Sequence, residues 1–401
     1  MIQLREHQKH AVEAMREYNK GQIIVPTGGG KTNIAITDVV NRLEHLWDYD
    51  KNEKQFVEPK VIVVVAPRIL LAQQLSSDFL EHLDDPVKVM HVHSGDSHHY
   101  STTNSKKIFK WVEEYWNHNK ILFTTYHSLH KIQEAGIPVN TIYFDEAHNS
   151  VQRHFHPATR FYASVGNVRC YFFTATPKHS YSDEDIGMNN EYYYGIVVEQ
   201  VPAPELVDND IILPPKVVVK ELDMIKDRKP TPEDDADNIL ATLDEQNVSK
   251  ILICARRTTQ ITNLISDSKL TTELYSRGYN WMYITAKTGA VINGIKVSRE
   301  EFFKTLRTWG KDDAQKFIVM HHSILSEGIS VPGLEAALFL RNMDFITISQ
   351  TIGRVIRKGN EQKQFGIVCV PVYDRVGIST AKNVSAVVDT IFNKGQPAIT
   401  N

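Results

Sequence analysis

A short apolar segment, Gln22 to Val25, runs into Pro26-Thr27-Gly28-Gly29-Gly30-Lys31-Thr32 and then into Asn33-Ile34-Ala35-Ile36-Thr37. Strand, glycine-rich loop and helix in that order make a phosphate cradle. The glycines leave backbone N–H groups free to converge on an anion, and the helix N-terminus adds its positive end. Lys31 supplies a mobile charge, and the Thr32 hydroxyl is placed to meet Mg²⁺. The general phosphate-loop pattern carries glycine where this chain has Val25.

Length and composition set the frame for that loop. With 401 residues the chain suggests about two or three domains. Its 42% hydrophobic and 23% charged residues are ordinary for a globular protein. No run reaches the ~18 apolar residues that cross a bilayer, and the N-terminus has no signal-peptide core, so the expected location is intracellular, away from membranes. Cys170, Cys254 and Cys369 lie far apart in or beside apolar stretches and read as buried thiols. A net charge of −3 excludes a generally basic nucleic-acid coat and restricts any nucleic-acid contact to a local groove.

Further along, Val61 to Ala66 is a continuous β-branched run, the pattern of a strand buried on both faces of a parallel sheet. Arg68 follows it at the start of a new helix, placed to hold a backbone phosphate, with a surface ion pair as the alternative. Asp48 to Lys60 reads as a polar connection. The histidines of His91-Val92-His93-Ser94-Gly95-Asp96-Ser97-His98-His99 read as a solvated loop rather than a zinc site, since no cysteine or helix fixes them. Lys106, Lys107 and Lys110 share a helix with Trp111 and face water or form a basic edge. Ile121 to Leu129 is a strand with Thr124 and Thr125 within it.

Thr141 to Phe144 is a strand delivering Asp145-Glu146-Ala147-His148. Asp145 can hold Mg²⁺ through its water shell, Glu146 can orient and deprotonate an attacking water, and His148 can sense the nucleotide. The next strand, Cys170 to Phe173, ends in Thr174-Ala175-Thr176-Pro177. The character changes from Lys178 to Leu213, where Tyr192 to Tyr194 suit packing more than base stacking. Pro214-Pro215 then precedes a fresh strand at Lys216. The second half repeats the strand–helix alternation, with a helix opening at the capping pattern Ser298-Arg299-Glu300-Glu301. It carries Glu327-Gly328-Ile329-Ser330 and, at helical spacing, Gln350-Thr351-Ile352-Gly353-Arg354-Val355-Ile356-Arg357, which puts Gln350, Arg354 and Arg357 on one face.

Taken in order, these motifs resemble those of superfamily 2 helicases with an Asp-Glu-Ala-His box, closest to the group holding type III restriction motor subunits and phage recombination helicases. The resemblance covers essentially the whole chain. It implies two tandem RecA-like domains, each a mainly parallel α/β sheet with helices on both faces: 1–200 binding ATP, 201–215 a linker, and 216–401 the second domain. It further implies an ATP-dependent DNA helicase or translocase using ATP and Mg²⁺, working as a monomer or as a subunit of a larger complex. A nucleic-acid-gated ATPase switch and an RNA helicase are the rivals. By the same resemblance Arg5 and Gln8 read adenine. The cradle is Pro26, Thr27, Gly28, Gly29, Gly30, Lys31 and Thr32, while Asp145 with Thr32 holds the metal and Glu146 is the base. Gln350, Arg354 and Arg357 complete hydrolysis, and Gly328 touches both nucleotide and nucleic acid. Arg68, Thr124 and Thr125 grip the strand, and His148, Thr174 and Thr176 couple the two activities. Such motors commonly relax the glycine at the position of Val25 while keeping the Gly-Lys-Thr end.

Overall fold

The computed structural model of the chain describes residues 2–43, 47–50, 53–56, 59–83, 87–95, 97–181, 186–221, 230–285, 288–322, 331, 333–340, 343–358, 363–372 and 375–399. They divide into two compact units, Met1–Pro26 with Gly30–Val201 and Ile399–Asn401, and Thr27–Gly29 with Pro202–Ala398.

The elements of the first unit are, in chain order, α1 (Glu6–Glu17), β1 (Lys20–Ile24), α2 (Lys31–Leu43), β2 (Trp47–Asp50), β3 (Glu53–Phe56), β4 (Val61–Ala66), α3 (Ile69–Leu80), β5 (Lys88–Val92), α4 (Ser105–Glu114), β6 (Lys120–Thr125), α5 (Leu129–Ala135), β7 (Thr141–Phe144), α6 (His156–Ser164), β8 (Arg169–Thr174), α7 (Glu191–Tyr194) and β9 (Val197–Gln200). Seven strands form one sheet in the order β5-β6-β4-β7-β8-β1-β9, every pair parallel. All carboxyl ends of a parallel sheet lie on one edge, so residues at five different strand ends are brought to one place.

The residues of β4 show why both faces are covered. Val61, Val63 and Val65 pack with Trp111 and Val112 of α4, Leu129 and Ile132 of α5, and Tyr162 of α6. On the opposite face, Phe79 of α3 meets Phe123 edge-on with ring centres 5.6 Å apart. The Tyr143 hydroxyl donates to Asp38 of α2 at 2.6 Å, and the Tyr171 hydroxyl donates to the Met15 carbonyl of α1, also at 2.6 Å. Arg42 joins this network through Asp38 at 2.7 Å and Tyr171 at 2.9 Å. Each fully buried valine or isoleucine contributes about 1.5–3 kcal/mol relative to exposure, an upper figure for a chain already partly collapsed when unfolded.

Two local readings differ from the structure. The expected connection from Asp48 to Lys60 contains the antiparallel pair β2–β3. Trp47-Asp48-Tyr49-Asp50 alternates apolar and polar residues with the period of a strand. The strand expected to reach Leu129 stops at Thr125, and Leu129 instead opens α5.

The second unit comprises α8 (Ala203–Asp208), β10 (Pro215–Glu221), α9 (Pro232–Gln246), β11 (Lys250–Cys254), α10 (Thr258–Ser266), α11 (Leu270–Ser276), β12 (Asn280–Thr285), β13 (Gly289–Ile292), β14 (Ile295–Val297), α12 (Arg299–Lys311), β15 (Phe317–His321), β16 (Ala336–Phe339), α13 (Phe345–Val355), β17 (Gly366–Val372) and α14 (Arg375–Val388). Its sheet has the order β10-β17-β16-β11-β15-β12-β13-β14 and is parallel except for the last two antiparallel pairings. Asn293 and Gly294 turn the β13–β14 hairpin with positive φ of 46° and 84°. An Asn-Gly pair suits such a turn because both residues tolerate positive φ. Ser298 caps α12 by accepting from the Glu301 amide at 3.1 Å. Among the described residues no helix is long and apolar enough to cross a membrane.

Candidate nucleotide site and strand-end edge

The sheet order arranges the candidate residues in a row. Strands β7, β8 and β1 are neighbours and end in Asp145-Glu146, Thr174 and the phosphate loop; β4 and β6, next in line, end at Arg68 and Thr125. The Val25 amide donates to the Thr174 carbonyl at 3.0 Å, so the loop departs from β1 while still paired to β8. Gly28 and Gly30 take φ of 93° and 86°, which a side chain rarely permits. A Cβ at position 30 would also lie 2.2 Å from Gln8 Nε2.

Lys31 opens α2 and reaches back over the loop. Its ammonium lies 3.4 Å from the Val25 carbonyl and 3.9 Å from Glu146 Oε1, long contacts for a charged donor. Glu146 is buried with φ 45° and ψ 55°, a left-handed conformation that costs a non-glycine residue about 1–3 kcal/mol. Its Oε2 is buried and accepts no hydrogen bond. Burial first, and then the charge of Glu146, push the Asp145 carboxyl up to about 7, opposed by Lys31 and by a backbone hydrogen bond. Two carboxylates crowded in this way, one with an idle oxygen, fit a divalent cation and a polarised water.

His148 is held from both sides. The Asn149 amide nitrogen donates to the Glu146 carbonyl at 3.0 Å and lies 3.2 Å from His148 Nε2, while the Asn149 oxygen accepts from Gln152 at 3.0 Å. With that amide orientation Nε2 accepts and Nδ1 of the neutral ring carries the proton. Nδ1 stands 3.2 Å from the Thr174 hydroxyl, 3.3 Å from that of Thr176 and 3.7 Å from Glu146 Oε2. One imidazole N–H therefore faces the acid just past β7 and the hydroxyls at and just past the end of β8. Sequence reasoning missed Asn149 and also Tyr126, whose hydroxyl donates to the Asp145 carbonyl at 2.8 Å. Asn149 adjoins the acidic box, which was the available signal; nothing in the sequence marked Tyr126.

Several candidates take unexpected places. Gln8 is 1% exposed; its oxygen accepts from the Arg5 amide at 2.9 Å and its nitrogen donates to the Gly30 carbonyl at 3.4 Å. The side chain thus ties the start of α1 to the phosphate loop, with Arg5 exposed at the helix N-cap. Thr124 is fully buried and donates to the Val92 carbonyl at 2.8 Å. The histidine segment is not a solvated loop throughout: His91 lies on β5, and both His91 and His93 are buried. The Gly95 amide donates to His93 Nδ1 at 3.2 Å, leaving the proton of the neutral ring on Nε2, which faces His91 Nδ1 at 3.0 Å; His91 Nε2 then meets Ser76 at 3.2 Å. Burial, reinforced by the neighbouring histidines, lowers His91 to about 3 and keeps this chain neutral. Among the described residues no group of three or more His, Cys, Asp or Glu could hold a metal. Mg²⁺, which keeps several waters and takes one or two carboxylates, needs no such group.

In the second unit, Gln350 and Arg354 lie one turn apart on α13 and are 5% and 4% exposed. The helix ends at Val355, so the expected common face does not extend to Arg357, which pairs with Ile212 as an isolated antiparallel bridge. The Leu213 amide donates to the Ile356 carbonyl at 2.7 Å, drawing the chain out of the helix. Gly328 and Ser330 lie outside the described residues.

Comparison with known proteins agrees with this layout. Residues 1–179 match the family described as ResIII, type III restriction enzyme, res subunit. No curated protein matches the chain by sequence. Among solved structures, the ATP-dependent Type ISP restriction-modification enzyme LlaBIII bound to DNA aligns at 20% identity and TM-score 0.71, over 98% of this chain and 30% of that one. A putative HsdR subunit fragment of a type I restriction enzyme from Vibrio vulnificus YJ016 aligns at 16% identity and TM-score 0.58, over 98% and 66%. The Mycobacterium smegmatis helicase Lhr bound to ssDNA and AMP-PNP aligns at 16% and 0.62, over 98% and 48%. The chain thus spans about a third of the length of the restriction-modification enzyme it resembles. Residues 1–179 thus match the type III restriction res-subunit family, and the whole chain shares the two-sheet α/β fold of these solved structures.

Proposed function

We propose that the chain is an ATP-dependent DNA translocase or helicase. The observation that carries this reading is the shared edge of the first sheet. Adjacent strand ends present Lys31, the Asp145-Glu146 pair and the His148 relay, and the next two end at Arg68 and at the buried Thr125. When bound, ATP with Mg²⁺ would supply the transferable phosphoryl group and neutralise its developing charge. Lys31 and the loop amides would hold the phosphates. Asp145 and Thr32 would hold the metal, and Glu146, with Oε2 unengaged, would take the proton of the attacking water. His148 links the state of that carboxylate to the hydroxyls of Thr174 and Thr176. Arg354 and Arg357 are the second unit's contribution to hydrolysis in this reading, through planar guanidinium groups that stay charged. DNA is favoured as the track because the restriction enzyme noted above is described as DNA-bound.

Triplex displacement from duplex DNA, run beside strand displacement from a forked duplex and from an RNA counterpart, tests the proposal. ATP-dependent displacement in either DNA format is expected. Nucleic-acid-stimulated ATP turnover without displacement in any format would overturn it in favour of a gated switch, and displacement confined to RNA would overturn the choice of track.

A further inference from the structure

The second unit holds a lysine that none of the motifs includes. Lys363 lies in the segment before β17, half-buried, and its ammonium is 2.5 Å from the Leu334 carbonyl, 2.5 Å from the Val355 carbonyl and 2.9 Å from the Arg357 carbonyl. An ammonium has three protons, and here each has an acceptor. Two of the three acceptors flank the point where α13 stops. Val355 is the last helical residue and Arg357 is the candidate arginine just beyond it. Carbonyls in the last turn of a helix have no intrahelical partner and carry the negative end of its dipole, so a cation there is favourable. Lys363 satisfies one of them and, with the same group, the carbonyl of the arginine itself.

Three further features hold the same few residues. Leu213 donates to the Ile356 carbonyl, Ile212 pairs with Arg357, and Lys358 forms an ion pair with Asp210. Gly366, at the start of β17, lies so close that a Cβ would come within 2.8 Å of the Val355 carbonyl carbon and oxygen. The backbone from which Arg354 and Arg357 project is therefore fixed by contacts on several sides, and Lys363 is the cation that bonds directly to its carbonyls.

We propose that Lys363 is a positioning residue for the arginine pair, its ammonium setting the exit of the chain from α13 and with it the aim of Arg354 and Arg357. The proposal rests on the motor reading for its effect on turnover, but its structural half does not. Burial lowers the Lys363 ammonium to about 8, with Glu335 raising it and Lys250 lowering it further. A lysine pKa depressed in the folded state means that the unfolded chain binds the proton more tightly between about 8 and the ordinary value of about 10.4, so this group adds stability as pH rises through that window. A functional need for the ammonium has the opposite sign, because turnover falls as it deprotonates. Stability and turnover should therefore diverge above pH 8, which a merely structural lysine would not produce.

The test uses the full chain, Lys363→Met and Lys363→Arg. Hydrogen exchange is read at the Leu213 and Ile356 amides, and ATP turnover with duplex DNA is read from pH 6.5 to 10. Lys363→Met is expected to exchange faster at both amides and to lose turnover by about 10- to 100-fold with little change in KM for ATP, the scale of a misplaced catalytic group. Lys363→Arg is expected to keep most turnover and to lack the alkaline limb expected near pH 8 in the wild type. Unchanged exchange in Lys363→Met, or an alkaline limb that Lys363→Arg leaves in place, would overturn the proposal. If Lys363→Met fails to fold, the limb comparison decides alone. A wild type that exchanges as expected but never turns over ATP would sink the motor reading and leave the positioning contact standing.

Discussion

The two units place their candidate residues by different means. In the first, chemistry is distributed over strand ends, and the register of a parallel sheet assembles it: Ile24 pairs with Thr174, and Phe144 with Phe172. In the second, Gln350, Arg354 and Arg357 come from one helix and the residues just past its end, and their placement depends on how that helix is stopped. A site built on register tolerates loss of any single hydrogen bond, because the strands hold one another. A site built on a helix terminus rests on a handful of carbonyl contacts. Substitutions of the residues that hold the end of α13 should therefore act through geometry, and those of the strand-end acids in the first unit through chemistry.

The largest expected effect sharpens this contrast. Arg357→Ala should depress ATP hydrolysis by about 10³-fold or more, the scale of an arginine finger, with nucleotide affinity nearly intact in equilibrium titration. An intact rate would remove the second unit from the chemistry. Glu146→Gln comes next, with an expected loss of about 10²- to 10⁴-fold in turnover and retained ATP binding; unchanged single-turnover hydrolysis would dismiss Glu146 as the base. The smallest effect probes the loop. Gly30→Ala places a methyl group at φ 86° and against Gln8, and strain of about 1–3 kcal/mol is expected to appear as a lower melting temperature and weaker nucleotide binding. Gln8→Ala combined with Gly30→Ala would relieve the clash but not the backbone strain, so partial recovery is expected. Full recovery would mean that φ matters less than contact.

How much the sequence disclosed follows the same division. The β-branched run of β4, the apolar strands before Asp145 and Thr174, and the loop before α2 each combine a hydrophobic pattern with a chemical signature on adjacent residues, and the sheet joins them. What lay hidden was set by long-range contact. Gln8 was legible as a glutamine near the loop, but its bond to the Gly30 carbonyl depends on where α1 lies. His91 read as loop because histidine has no strand signature, yet β6 pairs along it and Ser76 receives its ring. Thr124 carried a hydroxyl at a strand end, and only the neighbouring strand showed that the hydroxyl turns inward to Val92. The helix expected to run through Arg357 stops at Val355 because chain from residues 212–213 and the lysine at 363 claim its carbonyls, and helical spacing alone cannot show that.

The central claim is that the row of strand ends in the first sheet is a nucleotide-hydrolysing edge governed by DNA. ATP turnover by the wild-type chain, measured with and without duplex or single-stranded DNA and beside Glu146→Gln, tests it most directly. The account predicts slow turnover alone, a rise on adding DNA, and neither in Glu146→Gln. Turnover in Glu146→Gln equal to the wild type, or a wild-type rate indifferent to any nucleic acid, would contradict it.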